Sequence, residues 1–156
     1  AATTSATQRG IRVVHLRIGM VLGRTGGALK LMLPAFRCGV GGVLGTGRQF
    51  ISWVAVDDVV SAIQYALTTD RLSGPVNVVA PHPVTNRQFT ETLGRVLSRP
   101  TVLPVPAFVL RLVFGELADA LLLASTRVEP SVLLASGYRF QCPDLEAALR
   151  HVLGKD

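Results

Sequence analysis

IRVVHLRIG, residues 11–19, sets the fold. Val13, His15 and Arg17 fall on one side of an extended chain, and Val14, Leu16 and Ile18 on the other. This period-two pattern predicts a strand, with His15 as a hydrogen-bonded core residue. Downstream, Gly19, Gly23, Gly26 and Gly27 mark a turn-rich loop, and a helix is expected over 28–36. Gly39–Gly47 is a second glycine loop, and residues 49–55, with the single tryptophan Trp53, read as a short β segment. Asp57 opens a helix to Thr68. Val56, Val59, Val60, Ile63, Ala66 and Leu67 share one of its faces, and its first-turn acids suit the helix dipole. Gly74 and Pro75 break that pattern before a strand over 76–80. Thr85 and Gln88 then have the spacing of a capping box that opens a helix through Leu97. A brief strand over 102–105 leads into a long apolar helical region broken near Gly115, and short helices start at Glu129–Pro130 and Pro143–Asp144. Strands alternating with helices predict an α/β fold with parallel pairing, the later part mostly helical.

The chain has 156 residues, 49% of them apolar and only 17% charged, with a mean hydropathy of +0.42. That is apolar for one domain of this length, so it must bury much of its surface or meet a partner that covers it. Residues 1–8 are small and polar, without the apolar stretch of a signal peptide. They read as a linker or a truncation point, and the protein as intracellular, cytoplasmic or organellar. The net charge of +6 is carried by scattered arginines, with lysine only at 30 and 155. Without a basic run or interleaved aromatics, no nucleic-acid partner is expected. Residues 107–124 are the one membrane candidate, but Arg111, Glu116 and Asp119 make spanning costly, and no membrane partner is expected.

The motif search is mostly negative. Gly39, Gly42 and Gly45 have dinucleotide-fingerprint spacing, but they follow a helix and lead into a β segment. Phosphate binding needs the reverse order, so they read as a turn. A Tyr-Lys pair four residues apart, which would set a phenol up for proton transfer, is absent: Thr69 follows Tyr65 at that spacing, and Cys142 follows Tyr138. Cys38 and Cys142 have no metal-ligand spacing and read as reduced thiols. His15, His82 and His151 are scattered, and His82, between two prolines, is expected to be exposed. Ser52 and Ser61 lack a nucleophile elbow. Asp57 and Asp58, about 100° apart on a helix, read as capping or dipole charges. No catalytic residue and no metal site are assigned.

Several segments nonetheless form an ordered set. They are LRIGMVLG (16–23), GTGRQFISWVAVDD (45–58), GPVNVVAP (74–81), VTNRQF (84–89), Arg99–Pro100, Val105-Pro106-Ala107, Gly115–Glu116, Gly137–Tyr138 and Phe140. Across residues 9–154 the chain resembles the second half of the epimerase-like, atypical or extended short-chain dehydrogenase/reductases, including their small C-terminal domain of unknown function. The resemblance implies the C-terminal portion of a Rossmann-type parallel sheet with a small helical lobe. Residues 11–80 would belong to the NAD(P)-binding domain and 81–156 to the lobe, after a segment at 1–10. It implies NADP as cofactor of the intact protein, not bound by this chain alone, with phosphate loop and Tyr-Lys pair upstream. Ile18, Gly19 and Met20 would lie on the cofactor side; Arg48 and Gln49 would face a small-molecule substrate. Met20 stands where the extended family carries Asn, and Ala55 where it carries His, which removes polar groups from any sugar-nucleotide site.

Two functions follow from these readings. One is the second half of an NADP-dependent, nucleoside-diphosphate-sugar epimerase-like oxidoreductase, whose cleft walls this chain supplies. The other is a non-catalytic interaction module with an exposed apolar face, capable of self-association.

Overall fold

The computed structural model describes residues 2–102, 105 and 125–155. The expected helical region at 107–124 lies outside these residues. The elements run α1 (Ala2–Gln8), β1 (Val14–Ile18), β2 (Met20–Leu22), α2 (Gly27–Arg37), β3 (Phe50–Ile51), β4 (Trp53–Ala55), α3 (Val56–Thr68), β5 (Gly74–Val78), β6 (Val84–Thr85), α4 (Asn86–Leu97), α5 (Ser131–Ala135) and α6 (Leu145–Leu153). Where composition suggested a linker, α1 is helical. The turn after it closes at Gly10, whose φ of 74° lets the Ile11 N–H reach back to the Ala6 carbonyl at 3.0 Å.

Two parallel ladders organise the sheet. β1 pairs with β5, Val14 opposite Gly74 through Ile18 opposite Val78, and β2 pairs with β4, Met20 opposite Trp53 through Leu22 opposite Ala55. A short antiparallel pair joins β3 to β6, and an isolated parallel bridge joins Leu44 to Val105. The β segment expected over 49–55 is thus two strands parted at Ser52, and the strand expected over 76–80 starts earlier, at Gly74.

Helix ends follow local chemistry. Thr85 and Gln88 close the expected capping box: the Thr85 hydroxyl accepts from the Gln88 N–H at 3.2 Å, and the Gln88 side-chain oxygen accepts from the Thr85 N–H at 2.8 Å. Asp144 caps α6 by accepting from the Ala147 N–H at 3.0 Å. Arg12 closes the other end of α3, donating to the carbonyls of Ala66, Leu67 and Leu72.

Among the described residues two apolar clusters fill the interior. The larger gathers Leu22, Leu29, Leu33, Phe36 and Trp53 with Phe89, Leu93, Leu149 and Val152, so α2, α4 and α6 share one core with β2 and β4. Each such buried side chain contributes at most about 1.5–3 kcal/mol by area. The smaller holds Val54, Val59, Ala62, Val76, Val78, Leu133 and Tyr138 between α3, β5 and α5.

Two expectations need correction. His15 is exposed rather than a core residue, because the inward side of β1 is that of Val14 and Leu16. The apolar face read for α3 is in fact two faces. Val59, Ala62 and Ala66 are buried, whereas Val56, Val60, Ile63 and Leu67 are exposed.

Candidate functional site

The sequence-assigned residues gather where β1 passes into β2. Up to Ile18 the chain pairs with β5, and the Gly19 N–H still donates to the Val78 carbonyl at 3.2 Å. One residue on, the Met20 N–H donates to the Ser52 carbonyl at 2.8 Å and the chain has changed partner to β4. Only glycine fits at the changeover. A Cβ on Gly19 would lie 2.5 Å from the Ser52 carbonyl oxygen and 2.7 Å from Val79 Cγ1. Ligands of parallel sheets bind beyond the carboxyl ends of strands, where such a divergence opens a crevice. Ile18, 45% exposed, stands at that end, while Met20 packs against the larger core.

Arg48 and Gln49 part company. The Arg48 side chain is exposed. Gln49 is buried, and its side-chain amide donates to the Leu44 carbonyl at 3.0 Å. The Gln49 carbonyl accepts from the Asn86 N–H at 2.8 Å, and the buried Asn86 side chain accepts from the Leu44 N–H at 2.8 Å. Gln49 therefore locks the loop that carries Arg48. The Gly39–Gly45 turn is packed rather than open: a Cβ on Gly41 would meet the Phe36 ring at 2.5 Å.

Sequence reasoning passed over Ser52, which fastens a late segment beside this site. Its hydroxyl donates to the Thr126 carbonyl at 2.8 Å and accepts from the Val128 N–H at 2.9 Å. Next to it the Phe50 N–H donates to the Ser125 hydroxyl at 3.0 Å, and the Arg127 guanidinium sits 5.0 Å from the centre of the Phe50 ring. Trp53 Nε1 donates to the carbonyl of His82, whose side chain is exposed as expected, at 3.1 Å. Ser52 has no local signal, because its partners lie more than seventy residues further on.

Asp58 also departs from its expected role. The α3 N-cap, Ala55, makes no side-chain cap; instead the buried Asp58 carboxylate accepts from the Gln141 N–H at 2.7 Å and the Cys142 N–H at 3.0 Å. Tyr138 completes the arrangement, its hydroxyl 2.5 Å from the Ser61 hydroxyl and donating to the Asp58 carbonyl at 3.1 Å. Burial pushes the Tyr138 phenol up, and burial followed by Asp58 and Asp57 pushes the Cys142 thiol up. Asp57 pairs with His151 at 3.2 Å on the surface. Among the described residues no group of three or more His, Cys, Asp or Glu could hold a metal ion, and no helix is long and apolar enough to cross a membrane.

Known proteins of the same shape carry a shared label. A family described as "Domain of unknown function (DUF1731)" matches residues 105–152. An epimerase family protein of Mycobacterium bovis is 46% identical over 148 residues, covering 95% of this chain and 49% of the relative. This chain is a homologue of the epimerase family proteins. The structure of the human epimerase family protein, isoform 2, solved with NADPH, superposes with a TM-score of 0.88 at 39% identity, over 94% of this chain and 50% of that one. A nucleoside-diphosphate sugar epimerase of Corynebacterium glutamicum superposes at 0.77 and 33% identity, over 99% of this chain and 29% of that one. The parallel strands and helices are those of Rossmann-fold epimerases, and the chain spans about half the length of the curated relatives it matches.

Proposed function

We propose that this chain supplies the cleft-wall half of an NADP-dependent, epimerase-like oxidoreductase that acts on a nucleotide-linked or other small substrate. The observation that carries the reading is the changeover at Gly19: two parallel ladders diverge there, and the strand end leaves Ile18 open to a ligand. The NADPH in the human relative's structure, at 39% identity, supports the choice of cofactor. These residues suit the flank of such a cofactor rather than its phosphate cradle, because the Gly39–Gly45 turn is filled by Phe36. NADPH, when bound, supplies the hydride. Ile18, Gly19 and Met20 give an apolar wall that excludes water beside it, and Arg48, on a loop held by Gln49, is the positive charge offered to a substrate anion. The groups that move protons belong to the other half of the fold.

The test is a calorimetric titration of NADPH into this chain alone and into the chain joined to the half of the human relative that it does not match. Binding by the joined form only is expected, weakened at least tenfold by Ile18→Glu with the melting temperature unchanged. Binding by the chain alone, or indifference to Ile18→Glu, would sink the assignment. The second reading, an interaction module, rests on the exposed apolar row of α3. It predicts strong hydrophobic-dye binding that the unmatched half of the human relative does not quench.

A further inference from the structure

We infer that the substrate of this site is an apolar carbonyl compound with a single anionic group, not a sugar nucleotide, and that Met20 sets the choice. The inference rests on the proposed function and narrows its substrate class. Among the described residues, the hydrogen-bonding groups around the changeover at Gly19 are already spent within the chain. The Ser52 hydroxyl donates to the Thr126 carbonyl and accepts from the Val128 N–H, and the Ser52 carbonyl accepts from the Met20 N–H. The Gly19 N–H donates to the Val78 carbonyl at 3.2 Å, and the Trp53 carbonyl accepts from the Ala80 N–H at 2.6 Å. Trp53 Nε1 is turned to the His82 carbonyl at 3.1 Å, and the Gln49 amide to the Leu44 carbonyl at 3.0 Å.

What these bonds leave facing a ligand is hydrocarbon and a thioether. Ile18 is exposed at the strand end, Gly19 has no side chain, and Met20 is half-buried, packed on the larger apolar cluster. Ile18 flanks the cofactor in the proposed function, so Met20 is the side chain left to meet the substrate. A sugar ring carries several hydroxyls, and each one pressed against this wall gives up water without gaining a partner. An alkyl or aryl group gains there, from leaving water and from contact with the polarizable sulfur. The one charge on offer lies further off. Arg48 stands four residues before Ser52, about 13 Å along an extended chain, and has no ion-pair partner among the described residues. A ligand that reaches both places therefore carries its anion well away from its carbonyl, at the far end of an apolar chain. The Arg48 side chain is long enough to close part of that gap.

The experiment joins this chain to the unmatched half of the human relative, loads the joined form with NADP, and titrates 8-oxooctanoate and UDP-glucose by calorimetry. The oxo acid is expected to bind at least tenfold more tightly than the sugar nucleotide. Met20→Asn should cut that preference at least tenfold, weakening the acid and admitting the sugar, with the melting temperature as the check on folding. Met20→Leu, which keeps the apolar surface, should retain the preference. Arg48→Gln should weaken the oxo acid and leave the binding of neutral octanal unchanged. UDP-glucose bound as tightly as 8-oxooctanoate overturns the proposal, whatever the variants do. So does a preference that a folded Met20→Asn leaves intact, or a joined form that binds neither compound. A joined form that shows the preference and its loss in Met20→Asn, yet binds no NADPH, keeps the apolar wall and removes only the cofactor reading.

Discussion

The two flanks of α3 stand at equal angles to its buried row and meet opposite fates. On one, Asp58, Ser61 and Tyr65 find hydrogen-bond partners in Ser136, Tyr138, Gln141 and Cys142. On the other, Val56, Val60, Ile63 and Leu67 are exposed and join neither apolar cluster of the described residues. The closed flank is polar, so its contacts are directional and fix one docking geometry for the segment after α5. The open flank is apolar and non-directional, suited to any surface of matching shape. One helix thus serves as a specific joint on one side and an unmet hydrophobic demand on the other.

Breaking the closed flank should have the largest effect. Asp58→Ala removes the buried acceptor of two part-buried amide donors and is expected to cost about 2 kcal/mol, read from the midpoint of urea unfolding. Asp58→Asn, which keeps one acceptor oxygen, should cost less, and equal losses for the two would contradict the carboxylate's role. Tyr138→Phe removes only the hydroxyl bonds and should cost about 1 kcal/mol. It also tests a pH dependence. With its folded pKa raised above 10.0, Tyr138 contributes stability in full below that value and loses it as pH rises through the folded pKa. The wild type should therefore weaken under alkaline titration more than the Phe variant. A smaller effect is expected at Glu146, on α6, where Arg150 and then Arg95 hold the carboxyl below 4.5. That contribution is present above the unfolded pKa and is lost as pH falls through the folded one. Because the group is exposed, Glu146→Gln should shift the acid midpoint slightly, and less at high salt. The smallest change belongs to the open flank: Ile63→Ser should move stability by no more than about 0.5 kcal/mol in the isolated chain. A loss as large as that of Tyr138→Phe would mean that the flank is already covered.

What the sequence made legible was local. The capping box at Thr85 and Gln88, the parallel strand–helix alternation and the extent of α4 follow from spacing alone, because the groups that cause them lie within a few residues. The apolar periodicity of α3 was visible, but a helix with two apolar rows gives one merged signal, and only the packing of β1 and β5 separates Val59 and Ala62 from Val60 and Ile63. His15 misled because alternation marks two sides without saying which is inward. At the site, the Gly19 region could be named from its resemblance. The reason for its glycine, the approach of Ser52 and Val79, could not, since those residues arrive from elsewhere in the sheet. Asp58 and Ser52 were unreadable for the same cause.

The distance between Asp58 and its partners also bears on how the chain folds. The carboxylate waits for amides 83 and 84 positions further along, so on a chain synthesised from its N-terminus α3 is complete long before its buried charge can be satisfied. Closing so long a loop is slow, and a buried unpaired carboxylate resists burial until the closure happens. The final docking of α3 is thereby tied to the arrival of the segment between α5 and α6, and a growing chain that stops short of Gln141 keeps α3 from settling.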